Sequence, residues 1–219
     1  MCEINPLTGA QLDPLPIPSL VIAMSARTGS SQLCSILGQL GFFAEPHEIF
    51  NPEGPVQWLV AHHGISDIRR YLSILAGTHE RFCFKVAASH WAPYAPQHHR
   101  LFPLASYVYL ERVDLGAQAL SLARAVATGV WHAPADSSAS TPKGKIEVPP
   151  DSIARCRGHL ERERKYWNEF FLAEGIQPLR ITYESLVADP ARVTRAICDF
   201  AGLPIGSRCI PAGRYRKLG

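Results

Sequence analysis

The sequence predicts an α/β fold in which a central, mainly parallel sheet is flanked by helices. Apolar segments of strand length alternate along the chain with segments of helical periodicity, which indicates crossover connections between parallel strands. The 219 residues, 47% of them hydrophobic, are enough to bury one sizeable core. We therefore expect one domain over residues 1–219, with an extension at 1–18, a long loop at 133–150 and a basic tail at 206–219.

The first half of the chain is predicted to begin with a strand, a turn and a helix. Residues 20–24 are continuously apolar and end at a turn, which indicates a short buried strand, and residues 32–40 have helical periodicity. Two further helices are predicted at residues 55–62 and 66–75, with Gly64 between them.

The second half continues the alternation. The pattern predicts further strands at residues 82–86, 106–110 and 179–182. It predicts further helices at residues 114–130, 152–173 and 191–201. The segment 133–150 holds four prolines, so it can be neither a helix nor a central strand, and we expect a long loop.

The turn after the first strand, S-A-R-T-G-S-S, is the segment with the most groups able to bind a ligand. Its backbone N–H groups lie at a helix N-terminus, where the helix dipole favours an anion. The residues expected to bind a phosphate group are Arg27, Thr28, Gly29, Ser30 and Ser31. A Walker A turn, G-x-x-x-x-G-K-S/T, would need a lysine that this turn does not have. The alternative interpretation is an ordinary turn with a serine N-cap and a solvent-facing arginine.

Five more motifs follow the turn in a fixed order. They are E-P-H-E from Glu45, R-V-D from Arg112, Q-A-L-S and T-G-V-W ending at Ser121 and Trp131, and Y-E-S-L from Tyr183. Together with the turn, this ordered set resembles the bacterial sulfotransferases related to trehalose 2-sulfotransferase, over about residues 19–205. The resemblance implies a P-loop nucleotide-kinase-like fold. It also implies transfer of a sulfuryl group from 3′-phosphoadenosine 5′-phosphosulfate (PAPS) to an acceptor hydroxyl.

The E-P-H-E motif contains the expected catalytic base. The resemblance implies that Glu48 takes the acceptor proton, and the apolar residues that flank it are expected to raise its pKa toward a useful range. Glu45 is the competing candidate, as a substrate-binding or structural residue. Alternatively, one or both carboxylates cap a helix or pair with an arginine. The zinc motif H-E-x-x-H would need a histidine where Asn51 stands, and no metal site is predicted.

Arg112 follows the 106–110 strand, at the sheet edge where open α/β folds bind ligands. The resemblance implies that Arg112 and Ser121 bind the 3′-phosphate of the nucleotide. Arg27 is expected to hold the 5′-phosphosulfate from the turn and to be a catalytic residue, because transfer needs the charge on this group to be neutralised. Lys85 either adds charge near the sulfonate or lies on the surface. Trp131 either packs in the core or stacks on adenine.

Composition and charge exclude several classes of protein. The net charge of +3, from 22 basic and 19 acidic residues, is too small to indicate a nucleic-acid surface. The first eighteen residues resemble neither a signal peptide nor a membrane span, which favours the cytoplasm. The resemblance implies a carbohydrate or glycolipid acceptor and the ability to form a homodimer.

Two alternative functions stay open from the sequence. The chain could be a catalytically silent nucleotide- or partner-binding module of the same fold, because a fold does not determine a function. Retention of both Arg27 and Glu48 argues against a silent module. It could also be a small-molecule kinase, which the missing lysine of the turn disfavours.

Overall fold

The computed structural model describes residue 15 and residues 17–53, 64–65, 68–131 and 147–215. The helix predicted at residues 55–62 lies outside these ranges. So do most of the N-terminal extension, most of the 133–150 loop, and the end of the basic tail.

Four parallel strands form one sheet in the order β2-β1-β3-β4. They are β1 (Ser19–Met24), β2 (Phe82–Ala87), β3 (Ala105–Glu111) and β4 (Leu179–Thr182). The whole of β1 pairs with β2 on one side and with β3 on the other, and β4 pairs with β3. The predicted parallel sheet is confirmed, and β1 is one of its two central strands.

Helices connect the strands and cover both faces of the sheet. They are α1 (Ser30–Gln39), α2 (Ile68–Ala76), α3 (Ala88–Trp91), α4 (His98–Leu101), α5 (Leu115–Thr128), α6 (Pro150–Ala173), α7 (Tyr183–Ala188) and α8 (Pro190–Phe200). In the described ranges, no helix is both long and apolar enough to cross a membrane. The five longer helices lie within two residues of their predicted bounds, whereas α3, α4 and α7 were not predicted.

The core lies on the two faces of the sheet. Because successive side chains of a strand point to opposite faces, β1 contributes to both halves of the core. Val21 and Ala23 pack in a cluster with the aromatic residues of α6, and Leu20 and Ile22 pack in another with α1 and α8. A parallel sheet covered on both faces explains why β1 is continuously apolar in the sequence. Its rigid carboxyl edge positions the residues described next.

Candidate functional site

The turn between β1 and α1 offers its backbone to a ligand. Arg27 and Gly29 both have positive φ angles, 68° and 80°. This conformation is uncommon for a residue that has a side chain, so the chain reverses sharply at Arg27. Gly29 is the N-cap of α1, and no side chain in the described ranges caps this helix. The N–H groups of the first helical turn are therefore left for an anion.

The hydroxyl groups of the turn have different roles. Thr28 is completely buried, and its hydroxyl donates a hydrogen bond to the Ser25 carbonyl at 2.9 Å. This hydroxyl stabilises the turn itself, which differs from the expectation that it faces a ligand. Ser30 is also buried, at the start of α1. The Ser31 hydroxyl accepts a hydrogen bond from Lys85 Nζ at 3.0 Å, which joins the turn to β2.

The structure brings Arg112 and Ser121 next to Arg27 of the turn. Arg27 Nε donates to Ser121 Oγ at 3.0 Å, and another N–H of the same guanidinium donates to the Trp131 carbonyl. Arg112 Nη1 donates to the Arg27 carbonyl at 3.4 Å. The Trp131 side chain is exposed rather than packed in the core. We call Arg27, Arg112 and Ser121 the arginine cluster.

The arginine cluster is electrostatically unbalanced. Neither arginine is within ion-pair distance of a carboxylate in the part of the chain that the structure describes. Burial lowers the pKa of Arg27, and the neighbouring charge of Arg112 lowers it further. Arg112 Nε is buried and has no hydrogen-bond partner among the described residues. A buried, unpaired guanidinium N–H is costly, and an anion bound here would satisfy it.

Gln118, which the sequence analysis did not select, holds the turn from α5. It is almost completely buried, and its Nε2 donates to Ser25 Oγ at 2.9 Å and to the Ala26 carbonyl at 2.7 Å. The signal was available, because Gln118 is the first residue of the Q-A-L-S motif. Its side chain fixes the start of the turn to the helix that also carries Ser121.

Glu48 lies on the segment that follows α1 and forms an isolated β-bridge with Lys85 of β2. Its Oε1 is 3.2 Å from Lys85 Nζ, and its Oε2 accepts a hydrogen bond from Asn51 Nδ2 at 3.0 Å. Burial acts to raise the pKa of Glu48, but the Lys85 charge and these hydrogen bonds outweigh it, so the pKa is lowered. The expectation of a raised pKa is therefore wrong. Lys85 is the reason, and it is buried rather than on the surface.

Glu45 pairs with an arginine, which is one of the alternatives left open for the E-P-H-E motif. Its Oε2 accepts a hydrogen bond from Arg214 Nη1 at 2.9 Å, so it pairs with an arginine of the C-terminal segment. The backbone N–H of Arg214 donates to Ser35 Oγ at 3.0 Å. Arg214 is thus held against α1 and Glu45.

The long helix α6 contacts the carboxyl ends of three neighbouring strands. Trp167 Nε1 donates to the Met24 carbonyl at the end of β1, at 3.1 Å. Arg164 Nη2 donates to the Arg112 carbonyl just after β3, at 2.6 Å. Glu163 accepts hydrogen bonds from the first backbone N–H groups of α3, directly after β2. One helix therefore fixes the spacing of the sheet edge on which the site is built.

Glu163 is a buried carboxyl group close to Glu48. Its side chain is only 5% exposed, and its Oε2 has no hydrogen-bond partner among the described residues. Burial raises the pKa of Glu163 to about 7, and the charge of Glu48 contributes to the rise. His159 Nε2 lies 3.7 Å from this oxygen, but burial and Arg162 lower the pKa of His159, so it is neutral near pH 7.

We expect Glu163 to make a contribution to the free energy of unfolding that falls as the pH rises from the acid range toward 7. The folded protein keeps the Glu163 proton up to about pH 7, whereas the unfolded chain releases it near the ordinary glutamate pKa. Glu163→Gln should remove this part of the pH dependence. Urea unfolding of both proteins at several pH values between 5 and 8 measures it.

Glu161→Gln is the matched control, because Glu161 is exposed on the same helix and pairs with Arg157. It should leave the pH dependence as it is in the unaltered protein. Identical slopes for Glu163→Gln and the unaltered protein would contradict the assignment of this titration to Glu163.

Comparisons with known proteins identify what this arrangement is similar to. The family model of the Stf0 sulphotransferases matches residues 95–209. Trehalose 2-sulfotransferase from Mycobacterium tuberculosis (strain ATCC 35801 / TMC 107 / Erdman) is 28% identical over 96 residues. That match covers 44% of this chain, and it spans about a third of the relative's length, 35%. The matched family region contains Arg112, Ser121 and Tyr183, whereas Arg27 and Glu48 precede it.

Solved sulfotransferase structures share the fold over most of the chain. The crystal structure of a sulfotransferase from Alicyclobacillus acidocaldarius has a TM-score of 0.54 at 18% identity, covering 89% of this chain and 83% of that one. The sulfotransferase domain of the Synechococcus PCC 7002 olefin synthase has a TM-score of 0.54 at 19% identity, covering 89% and 76%. The sulfotransferase domain of the curacin biosynthetic pathway has a TM-score of 0.55 at 14% identity, covering 87% and 76%.

Proposed function

Because the chain belongs to the Stf0 sulphotransferase family, we propose that it transfers a sulfuryl group from PAPS to a hydroxyl of a carbohydrate or glycolipid. The observation that carries this proposal is the arginine cluster beside the open N-terminus of α1. Two guanidinium groups with no paired carboxylate among the described residues suit a ligand that has two separate anionic groups. PAPS has a 5′-phosphosulfate and a 3′-phosphate.

The proposed donor site divides between the turn and α5. The backbone N–H groups around Gly29 and Ser30, together with Arg27, would hold the 5′-phosphosulfate, and Gly29 lets the backbone approach closely. Arg112 and Ser121 would hold the 3′-phosphate. The buried Nε of Arg112, which lacks a partner in the described ranges, supports a group that accepts hydrogen bonds at this place.

Glu48 is the proposed base. Bound PAPS supplies an activated sulfuryl group whose leaving group is a phosphate. The protein therefore has mainly to position the two substrates, to neutralise the charge on the leaving phosphate and to remove the proton of the acceptor hydroxyl. Glu48 takes the proton of the acceptor hydroxyl as the hydroxyl oxygen bonds to sulfur. The bond between sulfur and the bridging oxygen breaks, and adenosine 3′,5′-bisphosphate leaves with that oxygen on its 5′-phosphate. Protonation of Glu48 removes the counter-ion of Lys85. The Lys85 ammonium then keeps its hydrogen bond to Ser31, on the side of the turn.

The choice of a carbohydrate acceptor rests on the residues around the base and on the named relative. Glu45, Glu48 and Asn51 lie on one short segment, and carboxylates and amides are the side chains that hydrogen-bond sugar hydroxyls. The similar curated protein is a trehalose 2-sulfotransferase. Trehalose and a panel of other sugars and glycolipids are therefore the first acceptors to test, with transfer of labelled sulfate as the readout.

Binding calorimetry tests the proposed donor most directly. We expect adenosine 3′,5′-bisphosphate to bind more tightly than ATP, because the turn has no Walker lysine after Gly29 and because ATP lacks the 3′-phosphate that Arg112 and Ser121 are proposed to bind. Tighter binding of ATP with Mg²⁺ would favour the kinase interpretation. Binding of the bisphosphate without transfer to any acceptor of the panel would favour a catalytically silent module.

Turnover is expected to survive metal chelation. The turn has Ser30 where an NTPase loop has its lysine, so the proposed chemistry depends on arginines and backbone amides. Assay of sulfuryl transfer in excess EDTA measures this, with the same buffer saturated with Mg²⁺ as the control. Loss of turnover that Mg²⁺ restores would contradict the prediction.

A further inference from the structure

The first residue of α7, Tyr183, lies against the side chain of Arg112. The guanidinium carbon of Arg112 is 4.3 Å from the centroid of the Tyr183 ring. A guanidinium within about 6 Å of a ring centroid is attracted to the negative face of the ring. Arg112 has no carboxylate within ion-pair distance among the described residues, so this ring and the long hydrogen bond to the Arg27 carbonyl are the contacts that orient its charged end.

The same ring packs against the anion-binding turn. A Cβ atom placed on Gly29 would lie 3.0 Å from Cδ2 and 3.4 Å from Cε2 of Tyr183. The backbone of the turn and the ring are thus in close contact, and a side chain at position 29 would be crowded against the ring. The Tyr183 ring therefore touches both parts of the proposed donor site, the turn and Arg112.

The backbone around Arg112 is held by two other residues. The Glu184 carboxylate accepts hydrogen bonds from the N–H groups of Val113 at 3.2 Å and Asp114 at 3.3 Å. Arg164 donates to the Arg112 carbonyl at 2.6 Å. The first turn of α7 thus fixes Arg112 twice, through its side chain by Tyr183 and through its following peptides by Glu184.

We propose that Tyr183 is a positioning residue that holds Arg112 ready for the 3′-phosphate, and that it acts through Arg112 rather than on the nucleotide. The inference rests on the proposed function. A long arginine side chain loses rotamer freedom when it binds a ligand, and an orienting ring lowers that cost before binding. Tyr183 would therefore contribute to the preference for a nucleotide that carries a 3′-phosphate.

Calorimetry with adenosine 3′,5′-bisphosphate and adenosine 5′-phosphate tests the inference. Tyr183→Phe keeps the ring and should bind both nucleotides as the unaltered protein does. Tyr183→Leu keeps an apolar side chain against Gly29 but removes the ring. This variant should lower the affinity for the bisphosphate by roughly 3- to 30-fold and should change the affinity for the monophosphate little. Tyr183→Met is made alongside, because its flexible side chain can fill the same space if the leucine variant does not fold.

A double variant separates positioning from direct contact. In an Arg112→Ala background, Tyr183→Leu should cause no further loss of bisphosphate affinity, because its effect passes through Arg112. An equal loss for both nucleotides, or a loss that persists without Arg112, would overturn the inference and indicate contact with the nucleoside. Failure of the unaltered protein to bind the bisphosphate would overturn the proposed donor site and this inference with it.

Discussion

Replacement of Glu48 by glutamine is expected to lower the single-turnover rate of sulfuryl transfer by about 10²–10⁴-fold, the range typical for loss of a general base. Glutamine keeps the shape of the side chain and can still accept a hydrogen bond from Asn51, but it cannot take a proton. The affinity for adenosine 3′,5′-bisphosphate should barely change. Rapid-quench measurement of one turnover, with calorimetry of the same samples, separates the two quantities.

Glu45→Gln is the matched control for this experiment. Glu45 lies on the same segment but pairs with Arg214, so its replacement should affect acceptor affinity or stability more than the chemical rate. Lys85 loses its charged partner in Glu48→Gln, so thermal unfolding of both variants should be compared first. A near-normal single-turnover rate in folded Glu48→Gln would remove Glu48 as the base.

The lowered pKa of Glu48 also predicts the pH profile. Its carboxylate is deprotonated throughout the neutral range, so the rate of the chemical step should be insensitive to Glu48 there. The rate should fall only in acid, below the ordinary range of a glutamate pKa, where the base becomes protonated. This acid limb should be missing in Glu48→Gln. A limb near neutral pH in the unaltered protein would point to another group, such as Glu163.

The fold could be predicted well where the signal is local. The strand β1 is continuously apolar, and α1, α5 and α6 have clear helical periodicity, so their order indicated a parallel sheet. The short helices α3, α4 and α7 have four to six residues, which is too few for a periodic pattern. Two of them nevertheless carry site contacts, because α3 receives Glu163 and α7 begins with Tyr183.

The site could be predicted as residues but not as interactions. The motifs selected Arg27, Arg112 and Ser121, and the structure brings these three together. The direction of the Glu48 pKa was wrong because its neighbours in sequence are apolar, whereas Lys85 reaches it from another strand. Glu163 was overlooked because it lies within a run of charged residues on α6, most of which face solvent.

Replacement of Arg112 by alanine is the second large effect that we expect. It should weaken binding of adenosine 3′,5′-bisphosphate by about 1.5–3 kcal/mol, or roughly 10- to 150-fold, the range for hydrogen bonds to charged groups. The affinity for adenosine 5′-phosphate should fall much less, because this nucleotide lacks the 3′-phosphate that Arg112 is proposed to bind. Calorimetric titration of both nucleotides into both proteins gives the comparison.

Two control variants make the Arg112 result specific. Arg27→Ala should weaken binding of both nucleotides, because the Arg27 side chain is proposed to bind the 5′-phosphate that they share. Arg157→Ala should leave the binding of both nucleotides unchanged, because Arg157 is exposed on α6 and pairs with Glu161. Arg112 and Arg27 touch through the Arg27 carbonyl, so a disturbed turn would lower both affinities together. Equal losses for the two nucleotides in Arg112→Ala would therefore refute the 3′-phosphate assignment, whereas a loss confined to the bisphosphate would support it.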